Sequence, residues 1–136
     1  LQVSYDSHRI KKQARIPADT DLHNVVAVLP GKYPDQVVIS GHYDTLAFPP
    51  RRPGEAPAGG GLEGGPRPPL DPNADAPGVV DDASGVACVM ELARIMSAYE
   101  WDKTLVFIAF AGEENGLLGS TLYAEKAKKA GAPIEA

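Results

Sequence analysis

Two apolar runs constrain what this chain can become. KTLVFIAFAG, Lys103 to Gly112, is a continuous apolar strand, and DQVVISGHYDT, Asp35 to Thr45, is a strand whose apolar run predicts burial on both faces. Between them, Ser84 to about Tyr99 places Val86, Val89, Met90, Ala93 and Met96 at helical spacing. A second helix is predicted from Leu117 to Ala130, with Lys126, Lys128 and Lys129 near its C-terminal end and Gly131 as the stop. Ahead of these, LQVSYDSHRIKKQARI reads as one long or bent strand, and HNVVAVLPG as a strand closed by a Pro-Gly turn. Strand, helix, strand, helix after two opening strands predicts an α/β layered domain with a partly parallel sheet.

In such sheets, ligands gather where the strands end at their carboxyl edge. GHYD (Gly41 to Asp44) and GEEN (Gly112 to Asn115) both fall there, and the second stops an apolar run on two adjacent glutamates, Glu113 and Glu114. Carboxylates beside a core are costly unless something positive meets them. With GVVDDASG (Gly78 to Gly85), the three segments supply imidazole and carboxylates but no thiolate, a set that suits zinc, with manganese or cobalt as substitutes. Each segment alone has a plainer reading. A histidine at a strand end is often structural, a loop glutamate pair is usually solvated, and Asp82 or Ser84 can cap the helix after them. Together they favour a metal. His42 and Asp44, two apart on an extended strand, face the same way, the spacing for a ligand histidine with a carboxylate behind its ring. Asp81 has two oxygens and can bridge two cations. If the strand breaks at Gly112, the neighbouring side chains diverge: Glu114 toward metal, Glu113 toward the attacking water as its base.

The chain has 136 residues, 43% hydrophobic, with a net charge of -5, which bounds it to one globular domain at most. Mild acidity argues against nucleic acid and anionic membrane surfaces as partners. The longest apolar run, Leu105 to Ala111, is too short to span a bilayer. A lone cysteine, Cys88, excludes an intrachain disulfide framework and a cysteine zinc cage, and its helical setting predicts a small buried hydrophobe. From about 46 to 77 the composition changes: Pro49 to Pro77 holds nine of the 13 prolines. This Pro/Gly-rich insertion cannot form a packed core. It joins GHYDT to GVVDDASG, and two readings stay open: a tolerated surface insertion, or a flap over the site. Arg51, Arg52 and Arg67 within it are read as solvated. The sequence begins at Leu1 and shows no signal peptide, so either one was removed or the sequence is a fragment.

NVVAVLPG, VVISGHYDT, PGVVDDASGVACVMELAR and TLVFIAFAGEENGLLGSTLYAEKAK resemble the core of metallopeptidase family 28 over about Asn24 to Lys128. The family holds di-zinc aminopeptidases, some zinc carboxypeptidases and, as divergent members, glutaminyl cyclases. The resemblance implies a three-layer α/β/α sandwich around a mixed β-sheet and two co-catalytic zinc ions acting on a peptide or aminoacyl substrate. Carried over by motif, His42 would bind one zinc, Asp81 would bridge both, Glu114 would bind the other, Glu113 would be the general base and Asp44 would stand behind His42. Asp82 would hold the local turn. Glutaminyl cyclases lack the histidine at the GHYD position, so His42 argues against that branch. The family completes its site with a further aspartate and histidine downstream. After Glu114 this chain has only Glu125 and Glu135 as acidic residues, and no histidine; His8 and His23 lie upstream near strand starts. The expectation is therefore the N-terminal part of a zinc exopeptidase domain, aminopeptidase ahead of carboxypeptidase and inactive when made alone, with secreted or periplasmic localisation favoured by resemblance. The rivals are a related zinc peptidase class with a separate dimerisation domain, and a non-catalytic relative kept as a binding or receptor scaffold.

Overall fold

The structure, a computed structural model, describes residues 1–13, 16–47, 71 and 73–136. The stretch Arg51 to Pro69, on which the two readings of the insertion rest, lies outside the described residues. Among the described residues, four strands and two α-helices form in chain order: β1 (Gln2–Ile10), β2 (Thr20–Leu29), β3 (Tyr33–His42), α1 (Ser84–Met96), β4 (Lys103–Phe110) and α2 (Leu118–Ala130). The long opening strand of the sequence reading ends at Ile10. The chain then turns back through a short bridge between Gln13 and Ile16.

The sheet order is β1-β2-β4-β3, with β1–β2 and β2–β4 antiparallel and β3–β4 parallel. The apolar run of β4 explains its inner place. Val106, Phe107 and Ile108 are at most 2% exposed, and an apolar residue is stable at every position only where both faces are covered. Side chains alternate between the faces. Leu105 and Phe107 pack on Val89 and Ala93 of α1. Val26, Val106 and Ile108 pack on the other face, where Tyr123 of α2 joins them and meets Phe110 edge-on. Helices thus cover both faces, giving the expected three layers around a mixed sheet. Gly131 ends α2 in the left-handed region, φ 63°, as its place in the sequence predicted. Beyond it, Gln36 and Val38 of β3 donate backbone hydrogen bonds to Pro133 and Ala136, so the last residues run beside β3.

Two expectations for α1 fail. Cys88 is exposed, and Met90 is 68% exposed. The buried stripe of the helix runs through Val89 and Ala93, and each residue along a helix turns about 100°, so the positions on either side of Val89 swing away from the sheet.

Asp6 and Asn24 are the buried polar side chains among the described residues. Asp6 on β1 accepts hydrogen bonds from His8 (2.7 Å), from Asn24 (3.2 Å) and from the Lys126 ammonium of α2 (2.6 Å). Burial pushes the Asp6 pKa up, but the bonds from Lys126, His8 and Asn24 outweigh it, and the carboxyl lies below its ordinary value. A carboxyl whose folded pKa is depressed stabilises the fold above its unfolded pKa, and that contribution is lost as pH falls through the folded value. Chemical unfolding at pH 6 and at pH 3 should therefore show a loss of stability in acid. Asp6→Asn should be less stable at pH 6 and should lose less on acidification. An unchanged acid dependence in that variant would remove Asp6 as a source of it.

Candidate metal centre

Parallel pairing of β3 and β4 brings their carboxyl ends to one edge, with Gly41 beside Ala109 and His42 beside Phe110. Alternation at the end of β3 then sends neighbouring side chains to different places. Tyr43 donates its backbone N–H to the Phe110 carbonyl and its hydroxyl to the His23 carbonyl of β2, 2.7 Å away. His42 points elsewhere. Its Nε2 lies 3.1 Å from Asp81 Oδ1 and 3.7 Å from Glu113 Oε2, and its Nδ1 lies 3.1 Å from the Asp44 carbonyl oxygen.

Asp81 reaches this point from a turn, Val79–Ala83, in which Asp81 and Asp82 leave helical geometry before α1 begins. Asp82 secures that turn. Its Oδ1 accepts the Gly85 N–H in the first turn of α1 and its Oδ2 accepts the His42 N–H, both at 3.1 Å. Of the two candidate caps, Asp82 takes the role, while the Ser84 hydroxyl donates to the Val80 carbonyl. Asp82 therefore does more than hold a local turn: it ties α1 to the end of β3.

Asp44 differs in detail from expectation. Its carboxylate does not hydrogen-bond the His42 ring, from which Oδ1 is 3.8 Å away. The two oxygens instead accept the backbone N–H groups of Glu113 and Glu114, each at 3.1 Å. Held by those two N–H groups, the carboxylate stands off from the imidazole, and the Asp44 carbonyl holds the ring in its place. The same contacts set the geometry of the loop. The chain breaks from β4 at Gly112, φ 71°, and Gly116 and Leu117 return N–H bonds to the Glu113 carbonyl.

His42, Asp81 and Glu113 are thus brought together, with Glu114 anchored at the same bend through its amide. His8 and His23 are not part of it. His8 bonds Asp6, and His23 bonds Ser7 across the β1–β2 pair. Burial opposes a charge on the His42 ring, but the Asp44 carbonyl and the Glu113, Asp44 and Asp81 carboxylates outweigh it, raising its pKa above the ordinary value. The cluster is one that attracts a cation.

The donor set fits zinc in kind: imidazole and carboxylate oxygen, without thiolate. The 3.1 Å between His42 Nε2 and Asp81 Oδ1 is close to the roughly 3.3 Å separating two donors on one tetrahedral zinc. Among the described residues, no group of three His, Cys, Asp or Glu side chains converges at metal-holding spacing. The fit is therefore to a pair of donors on an ion. On the Tyr43 side, an apolar cavity of about 330 Å³ shares Gly112 and Asn115 with the loop, and its lining includes none of the candidate donors.

Sequence reasoning overlooked Asn24. It is fully buried; its amide nitrogen donates to the Gly119 carbonyl (3.0 Å) and to Asp6, and its oxygen accepts the Ala111 N–H (3.1 Å). The signal was present. Period-two alternation puts Asn24 on one face with Leu22 and Val26, both buried, and a polar residue on a buried face requires partners.

The sequence matches the model of peptidase family M28 over residues 24–136. A protein of Pyricularia oryzae named "Probable zinc metalloprotease" is 41% identical over 124 residues, covering 90% of this chain and 21% of that protein. A protein of Leptosphaeria maculans with the same description is 36% identical over 137 residues, covering 99% of this chain and 27% of that protein. The chain thus spans about a quarter of the length of these relatives. Among solved structures, an aminopeptidase from Aneurinibacillus sp. strain AM-1 superposes with a TM-score of 0.54 at 33% identity, covering 79% of this chain and 21% of that one. A glutaminyl cyclase of Macrostomum lignano superposes with a TM-score of 0.52 over 81% of this chain and 26% of that one; at 19% identity this likeness is one of fold.

The Asp82 bracket makes a prediction. A Cβ at Gly85 would overlap the Asp82 carboxylate. Gly85→Ala should therefore displace Asp82 from both N–H partners, at a cost of about 1–3 kcal/mol in urea unfolding. A variant as stable as the parent would show that the turn tolerates Asp82 elsewhere.

Proposed function

The chain belongs to peptidase family M28, and from that premise we propose that it carries part of the catalytic site of a zinc exopeptidase, an aminopeptidase in the first instance. One observation carries the reading: at the carboxyl edge of β3 and β4 the His42 ring meets Asp81 at 3.1 Å and Glu113 at 3.7 Å, on scaffolding built by Asp44 and Asp82. The description of the Aneurinibacillus protein as an aminopeptidase supports the choice of a terminal peptide or aminoacyl substrate. The names of the fungal relatives support zinc.

In this reading His42 and Asp81 would hold one zinc ion, and Glu114 together with Asp81 would hold a second. Bound zinc supplies Lewis acidity to a carbonyl oxygen and makes water acidic enough to be deprotonated near neutral pH. Glu113, half-exposed and 3.7 Å from His42, takes the proton from the attacking water and returns it to the leaving amine. Asp44 touches no reacting atom. Its carboxylate holds the peptide units of Glu113 and Glu114 in place, and its carbonyl fixes the tautomer of His42 by accepting from Nδ1, leaving Nε2 for the metal.

The full-length protein tests the division of roles. Glu113→Gln should retain zinc and lose about 10²- to 10⁴-fold in kcat, because it removes a base and leaves the donors. Glu114→Ala should instead lower zinc content, read by elemental analysis after dialysis. Near-normal turnover in the first variant, or full zinc in the second, would overturn the corresponding assignment.

A catalytic zinc normally takes three protein ligands. With two donors for each ion, one short of three, residues 1–136 made alone should bind zinc more weakly than the full-length protein and cleave no aminoacyl substrate. Calorimetric zinc titration of both proteins checks this, and equal affinities would mean that the 136 residues hold a complete ligand set.

A further inference from the structure

Glu113 and Glu114 lie on a loop, and a loop places a side chain only as well as its stems are held. We infer that Asn24 is a positioning residue for this pair, acting through the two stems of the loop. The inference rests on the reading of Glu113 and Glu114 as base and ligand at a zinc site.

The contacts form a closed set. Ala111 begins the loop and Gly119 lies in the first turn of α2, where the loop ends. The two stems bond each other, Gly119 N–H to the Ala111 carbonyl at 3.0 Å, and Leu118 bonds the Gly112 carbonyl at 3.0 Å. Asn24 joins the same two residues from beneath. Its oxygen accepts from Ala111, and its nitrogen donates to the remaining acceptor, the Gly119 carbonyl. The second amide proton goes to Asp6, which Lys126 of α2 neutralises. Three of the four bonds an asparagine can make are filled, in a place without access to water. The fit is close as well as complete, since a Cβ at Gly119 would overlap the Asn24 oxygen and the Ala111 carbonyl.

Asparagine is the residue this geometry demands. Aspartate could accept from Ala111 but could not donate to Gly119, and it would set a second carboxylate against Asp6. Leucine, of similar size, would leave the Ala111 N–H and the Gly119 carbonyl without this partner beside the core. Asp44 holds the crown of the loop through the Glu113 and Glu114 N–H groups, and Asn24 holds its base. Release of the base loosens the stems on which that crown stands.

The test compares the full-length protein with its Asn24→Ser variant, which is small and polar but too short to reach both stems. A merely structural role would lower the melting temperature and leave the folded protein unchanged. A positioning role lowers zinc affinity about 10- to 100-fold in protein that remains folded. It also lowers kcat more than it raises KM, and Asp44 cannot compensate. Hydrogen exchange supplies a readout independent of metal. In metal-free variant protein the Glu113 and Glu114 amides should exchange at least about tenfold faster than in the parent, together with Ala111. Lost stability with unchanged zinc affinity, kcat and exchange at Glu113 and Glu114 would overturn the inference. If the variant does not fold, exchange in the metal-free parent decides. Ala111, Gly119, Glu113 and Glu114 should open as one unit, and Glu113 and Glu114 exchanging far ahead of Ala111 would overturn it. Failure of the parent to bind zinc would count against the zinc reading alone, because the exchange comparison requires no metal.

Discussion

Parallel pairing between β3 and β4 is the constraint on which the rest of the arrangement depends. Parallel neighbours need a crossover, here carried by α1, and they end at the same edge. The dry interior of β4 fixes its register: Leu105 and Phe107 must meet α1, and Val106 and Ile108 must face α2. A slip of one residue would exchange these sets. Once the register is set, His42 ends beside Phe110, and the segments leaving the two strands are forced into contact.

At that edge, acidic residues serve two different purposes. Asp44 and Asp82 spend both carboxylate oxygens on backbone N–H groups and so order the peptide units that carry them. Asp81 and Glu113 face the His42 ring, whose pKa is raised, against the effect of burial, by the Asp44 carbonyl it bonds and by the carboxylates around it. The same type of side chain is therefore scaffold in one pair and reactive surface in the other, and only its hydrogen-bond partners tell the two apart.

Much of this was legible in the chain. Continuous apolar strands, a helical stripe and the order of elements indicated α/β layers, because burial and periodicity are local properties. GHYD, VVDDASG and GEEN indicated a common edge, because strand ends in a parallel sheet share one. The stripe of α1 was read too broadly at Cys88 and Met90, since five apolar residues at helical spacing fill a wider arc than the sheet covers. Spacing puts Asp44 beside His42, but its carboxylate bonds the Glu113 and Glu114 amides and not the ring. Spacing of two sets which way a side chain faces, and the identity of its partner depends on what arrives from elsewhere.

What arrives from elsewhere is distant in sequence. The bonds that shape the loop, from Asp44 to Glu113 and Glu114 and from Asn24 to Ala111 and Gly119, span 69, 70, 87 and 95 positions. By itself the sequence determined the secondary elements, the layered class, the family and the kinds of donor that could meet, since these depend on side-chain chemistry and short-range period. Tertiary structure alone decided which carboxylates face the imidazole, which are consumed by the backbone, and that a buried amide on β2 grips the stems of the glutamate loop. The physical reason is that a hydrogen bond is chosen by position in space, within about 3 Å, and a one-dimensional pattern does not contain that distance.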